Sequence, residues 1–100
     1  KILEFEGLVV NLDEHTVTVD GKRIELTYKE FEILRIFLSH PGMVYTREQL
    51  FLQVWKMDYM GDSRTLDSHI RTLRQKLNGY GKMIKTVRNV GYRWEASYDK

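Results

Sequence analysis

Arg64, Ser68, Arg71, Thr72 and Gln75 stand three and four residues apart, a spacing that places all five on one side of a helix. Guanidinium forks, hydroxyls and an amide in that arrangement can hydrogen-bond anionic oxygens and the edges of nucleobases. Arginine pairs with phosphate or guanine, and threonine can donate, accept or touch a thymine methyl. The surrounding charge favours the same chemistry. Residues 64–93 hold eight basic side chains (Arg64, Arg71, Arg74, Lys76, Lys82, Lys85, Arg88 and Arg93) and one acid, Asp67, a balance of +7 within a chain whose net charge is only +2. A basic region of this kind steers a polyanion to one side of a domain. The preceding 63 residues are acidic, with 7 Lys and Arg against 11 Asp and Glu.

Other chemistries lack their residues. With no cysteine, neither a disulfide framework nor a thiolate zinc site is available. His15, His40 and His69 have no HxxxH or CxxC companion, so no metal ligand set is expected. Asp13-Glu14 and the Asp58/Asp62 pair are read as solvated or capping carboxylates in loops and turns, not as paired acid–base catalysts. No enzyme activity and no cofactor are expected. No apolar run approaches the roughly 20 residues of a membrane span, and Lys1–Gly7 lack the core of a signal peptide. A cytoplasmic domain with no membrane partner is therefore expected, and a start at Lys1 suggests a fragment of a longer chain.

One hundred residues, 42% of them apolar, suit one domain. Four short segments, Ile2–Phe5, Leu8–Leu12, Thr16–Val19 and Arg23–Leu26, predict a small antiparallel sheet, with Asp20-Gly21 as a type I′ hairpin turn. Thr27 and Glu30 form a capping box that starts a helix over 28–39. Its apolar stripe is Phe31, Leu34, Phe37 and Leu38, and Pro41-Gly42 stops it. Thr46 and Gln49 repeat the box for a second helix from Arg47 to Val54 or Trp55, burying Leu50, Phe51 and Val54. A loop over 56–62 precedes a third helix, capped by Asp62 or Ser63, that runs to Leu77 and ends at Asn78-Gly79. It buries Leu66, Ile70, Leu73 and Leu77, leaving the five polar residues on the opposite side and His69, Arg74 and Lys76 on the flanks. After a loop over 79–82, Met83–Arg88 and Tyr92–Ala96 form a hairpin around Asn89-Val90-Gly91. The second and third helices make a helix-turn-helix, and the basic hairpin beside them can lie along a nucleic-acid backbone as a wing.

At these residues the sequence resembles the winged-helix effector domain of OmpR/PhoB-family two-component response regulators. The likeness is carried by LTYKEFEIL (26–34), REQLFLQVW (47–55), RTLDSHIRTLRQKL (64–77) and KTVRNVGYRW (85–94). It implies an α+β winged helix-turn-helix with an N-terminal four-stranded antiparallel sheet, three helices and a C-terminal β-hairpin wing. The function it implies is sequence-specific binding of double-stranded DNA to regulate transcription. The helix over about 63–77 would enter the major groove, and the wing over about 83–96 would meet the adjacent minor groove. The whole chain, 1–100, would be the effector domain. A phosphorylatable receiver domain, absent from this chain, would precede it in the full-length protein. The resemblance further implies tandem binding to direct DNA repeats and contact with RNA polymerase. The isolated domain is expected to be monomeric off DNA.

By position, the resemblance assigns phosphate contacts to Trp55, Arg64, His69, Arg71, Arg74, Gly91 (through its backbone N–H) and Tyr92. It assigns base reading to Thr72, with Ser68 as a companion from its place on the helix, and minor-groove positions to Thr86 and Arg88. Met57, Asp58, Tyr59 and Met60 lie where polymerase contact is implied. Thr72 replaces an arginine found in some relatives, so the DNA sequence read is expected to differ. Asn89 replaces a common glycine, and the hairpin is expected to survive because asparagine tolerates left-handed φ. Several residues have a second reading. Trp55 could be a core or rim aromatic, His69 could donate to a local backbone group, and Tyr92 and Trp94 could be packing residues. Arg88 could be a solvated turn residue, and Met57, Tyr59 and Met60 could tuck against the helices. The alternative use of the fold is contact with protein or RNA, because a fold does not fix a function.

Overall fold

Alternation of apolar and polar residues pairs the first four segments in sequence order. In the computed structural model, which describes residues 1–57 and 64–95, β1 (Ile2–Phe5), β2 (Leu8–Asn11), β3 (Thr16–Val19) and β4 (Lys22–Ile24) form an antiparallel sheet in the order β1-β2-β3-β4. Leu8 and Val10 of β2 and Val17 and Val19 of β3 are buried, the one-faced pattern of a half-solvated sheet. Asp20 and Gly21 both have positive φ, 51° and 84°, as a type I′ turn requires.

The helix α1 (Tyr28–Ser39) starts at the expected capping box, with Thr27 Oγ1 accepting from the Glu30 N–H and Glu30 Oε1 accepting from the Thr27 N–H. Its apolar face is wider than the stripe read from the sequence, because Ile33 and Ile36 are buried as well. The reason is its central position: α1 touches the N-terminal sheet through β1 and also packs on α2, α3 and the C-terminal hairpin. The second box, Thr46 with Gln49, starts α2 (Arg47–Trp55), which buries Leu50, Phe51 and Val54. Next comes α3 (Arg64–Lys76), whose expected caps Asp62 and Ser63 lie outside the described residues. Leu66, Ile70 and Leu73 of α3, and Leu77 just beyond it, are fully buried.

Two elements depart from the sequence reading. The stretch expected as a loop over 79–82 lies within a 3₁₀ helix, Asn78–Met83, which packs against the end of α3 and the hairpin. Gly81 is needed there, since a Cβ would come 2.2 Å from the Arg74 carbonyl oxygen. A two-residue strand, β5 (Tyr45–Thr46), was not legible either. It pairs with the second hairpin strand, giving a three-stranded sheet ordered β5-β7-β6, with β6 spanning Ile84–Val87 and β7 Gly91–Trp94. The hairpin turn itself forms as expected, with Asn89 at φ 65°. Trp94 is fully buried, edge-on to Phe5 with ring centroids 5.5 Å apart.

Candidate nucleic-acid interface

Helix α3 has three sides, and each meets a different environment. Taking Leu66 as zero and about 100° per residue, the apolar stripe centres near 10°, while Arg71, Arg64, Gln75 and Ser68 fall between about 140° and 200°. Those four are exposed and make a polar ridge along the outside of the domain. Thr72, at about 240°, is not part of it. It is half-buried, and its hydroxyl lies 2.6 Å from Glu30 Oε2 and 3.1 Å from the His69 carbonyl oxygen. The expectation of five outward residues is corrected to four, because Thr72 shares a flank with His69 and Lys76 that faces α1.

Glu30 is the centre of that flank. Only 2% exposed, its carboxylate accepts from the Thr27 N–H at 2.9 Å and from Lys76 Nζ at 2.8 Å on one oxygen, and from Thr72 on the other. Burial alone would raise this carboxyl, but hydrogen bonds from Lys76, Thr72 and Thr27, with the Lys76 charge, bring it below the ordinary carboxylate range. A residue read from the sequence only as a cap therefore ties the first helix to the third. Thr27, Glu30, Ser68, His69 and Thr72 line an open cleft of about 160 Å³ at this seam.

The opposite flank faces the hairpin. Asp67 accepts from Arg47 Nε at 3.2 Å and from the Tyr92 hydroxyl. The Tyr92 ring has the Arg47 and Arg74 guanidinium carbons 5.1 and 5.6 Å from its centroid, within cation–π range. Burial raises the Tyr92 phenol pKa, and the Asp67 carboxylate raises it further. Arg74 Nε and Nη2 donate to the Ile84 carbonyl at 3.1 and 2.8 Å, and Nη2 also donates to Thr86 Oγ1 at 3.0 Å. Tyr92 is buried and its hydroxyl proton is held by Asp67, so it stands here as a packing residue that braces the wing. Arg74 likewise directs Nε and Nη2 at the hairpin, with the bond to Thr86 lying at the exposed surface. Arg47 was missed by the sequence reading. A cation in the first turn opposes the helix dipole, a signal that it needs a partner elsewhere.

The remaining predicted residues divide clearly. Thr86 and Arg88 are exposed on the hairpin, with Arg88 in the turn. Trp55 is half-buried, stacked on Phe51 at 4.7 Å and perpendicular to His69 at 5.1 Å, with Lys29 Nζ 5.3 Å from its centroid. His69 Nδ1 lies 2.8 Å from the Thr65 carbonyl oxygen. A carbonyl only accepts, so this nitrogen carries the proton, in line with the local-backbone reading. Gly91 is buried between β5 and β6, where a Cβ would sit 2.0 Å from the Tyr45 carbonyl oxygen. Met57 is 55% exposed, whereas Asp58, Tyr59 and Met60 lie outside the described residues. Among the described residues no group of three or more His, Cys, Asp or Glu could hold a metal, and no helix is long and apolar enough to cross a membrane.

A polar ridge on the last helix of a helix-turn-helix, braced against a basic β-hairpin, defines a winged-helix domain. The family model described as "Transcriptional regulatory protein, C terminal" matches residues 21–94. The chain is 43% identical over 98 residues to the transcriptional regulatory protein ResD of Bacillus subtilis and 41% identical to SrrA of Staphylococcus aureus. Each alignment covers 94% of this chain but 41% of the relative, so the chain spans about two-fifths of their length. Among solved structures, the Klebsiella pneumoniae RstA DNA-binding domain in complex with the RstA box superposes with a TM-score of 0.88 at 29% identity, covering 97% of this chain and 99% of that one. The CpxR DNA-binding domain from E. coli gives 0.87 at 34%, with the same coverage. The chain belongs to the OmpR/PhoB-type family of C-terminal domains of transcriptional regulatory proteins.

Proposed function

We propose that this domain binds double-stranded DNA sequence-specifically to regulate transcription, with α3 in the major groove and the β6–β7 wing beside the adjacent minor groove. The observation that carries this is the exposed ridge of Arg64, Ser68, Arg71 and Gln75, together with the exposed Arg88 at the tip of the wing that α3 braces. A helix fits the major groove, arginine suits both phosphate and guanine, and a narrow minor groove attracts arginine. The RstA domain with its DNA box has this fold, which supports the same docking. Arg64, Arg71, Trp55 and the Gly91 N–H are the proposed phosphate contacts, joined by His69 through Nε2 when its ring is doubly protonated, fixing register without reading sequence. Ser68 and Thr72 are the proposed base readers, with Thr86 and Arg88 serving the minor groove. The domain works, in this reading, as the effector part of a response regulator whose receiver domain controls tandem assembly on direct repeats. Exposed Met57 begins the surface proposed to meet RNA polymerase.

Duplex binding measured across ionic strength tests the reading. The log–log slope of affinity against salt is expected near −0.9 for each phosphate contacted. Absence of salt-dependent duplex binding at low ionic strength overturns it in favour of a protein-contact module.

A further inference from the structure

Lys29 stands in the first turn of α1, where a positive charge opposes the helix dipole. Arg47 in the first turn of α2 has the same disadvantage and is compensated by Asp67. No carboxylate among the described residues does this for Lys29. Its charge instead meets two aromatic rings, with Nζ 5.8 Å from the Tyr28 centroid and 5.3 Å from that of Trp55. A ring face attracts a cation without neutralising it, and an ammonium has three donors, so this charge stays available to an anion. Its surroundings say which anion. Trp55 lies edge-on to His69, and Thr27 and Glu30 at the start of α1 line one open cleft with Ser68, His69 and Thr72 of α3. The first turn of α1 therefore borders the Trp55–His69 pair assigned above to the DNA backbone.

We propose that Lys29 is a further phosphate contact, so that α1, α2 and α3 together hold one stretch of DNA backbone through Lys29, Trp55 and His69. This rests on the DNA-binding reading above. Trp55 supplies a neutral N–H to that stretch, and His69 donates from Nε2 only when its ring is doubly protonated. Lys29 brings an ammonium charge on a flexible four-carbon stem that can follow a phosphate oxygen. The stem is half-buried, with the charged head carried past the rings toward the open side. Because Lys29 belongs to α1 and not to the helix proposed to enter the groove, it meets the groove wall and fixes register without reading bases.

The test compares the wild-type chain with Lys29→Gln, Lys29→Arg and Lys22→Gln. Each is titrated at several salt concentrations against a duplex that the wild type selects from a randomised pool and against an unselected duplex. Every phosphate neutralised by a cation adds about 0.9 to the log–log slope. Loss of packing on Trp55 does not move that slope, because the indole carries no charge. Lys29→Gln keeps an aliphatic stem over the rings. It is expected to weaken both duplexes alike by about threefold, the scale of one exposed ion pair, and to flatten the slope by about 0.9. Lys29→Arg keeps the charge and should keep the slope. Lys22→Gln removes an exposed charge from β4 of the N-terminal sheet and should leave the slope as in the wild type. An unchanged slope for Lys29→Gln, an equal loss for Lys29→Arg or Lys22→Gln, or a weakening confined to the selected duplex overturns the inference and leaves DNA binding standing. No salt-dependent binding by the wild type overturns both.

Discussion

Arg71 and Glu30 mark the two kinds of side chain that this site needs. Arg71 is exposed on the ridge and is proposed to hold a phosphate. Arg71→Ala is expected to weaken all duplexes by one common factor and to flatten the salt dependence by about 0.9 in log–log slope, read by titration at several salt concentrations. Glu30 acts inside the protein. Its carboxyl is lowered in the folded state, so it contributes stability above the unfolded carboxylate pKa, and that contribution disappears as pH falls through the folded value. Because a protonated glutamate and a glutamine are near isosteres, Glu30→Gln should cost about 1–3 kcal/mol at pH 7. The difference should close below the ordinary carboxylate range, which denaturant melts at a series of pH values will show.

At the scale of elements, the question is how the wing keeps its angle to α3. Arg74 reaches from the helix to Ile84 and Thr86, while Tyr92 reaches back to Asp67, which also holds Arg47 of α2. These contacts join α2, α3 and the hairpin by polar and cation–π interactions around one buried tyrosine ring. Arg74→Ala should leave the helices intact and speed amide hydrogen exchange over 84–94, since the Ile84 carbonyl loses its partner. Equal exchange in variant and wild type would show that Arg74 does not hold the wing. Gly91→Ala drives a Cβ to within 2.0 Å of the Tyr45 carbonyl and should force β5 and β7 apart. Its expected cost is about 1–3 kcal/mol, typical of overpacking, and a melt that matches wild type would contradict it.

At the scale of the whole molecule, charge is divided between an acidic sheet-and-helix half and a basic half that carries α3 and the wing. The domain measures 38 × 35 × 22 Å, which leaves a single-module surface for a duplex in the proposed reading. A surface of this size buries about 600–1,000 Å² on DNA, which predicts modest affinity for one domain. In the proposed reading, receiver domains link two copies and raise it by effective concentration. Two copies so linked are expected to select two half-sites of the same orientation about one helical turn apart. Selection of an inverted repeat instead would contradict tandem assembly.

Much of this was written in local signals. Both capping boxes, the Asp20-Gly21 turn, the apolar stripes of α2 and α3 and the Asn89 turn follow from residues within the element itself, so their chemistry shows in the sequence. The four peptide stretches also carried the family likeness. The tertiary structure alone decided what lies along the flanks of α3. Glu30 meets Thr72 and Lys76 across 42 and 46 residues, and Arg74 meets Ile84 across ten. A helical wheel gives the angle of a side chain but not what stands opposite, so it put Thr72 on the open ridge although its hydroxyl donates to a buried carboxylate. For the same reason the wheel did not show that Arg74 and Tyr92, candidates for phosphate contact by position, also brace the wing. Periodicity is a property of one element, whereas a partner is supplied by another.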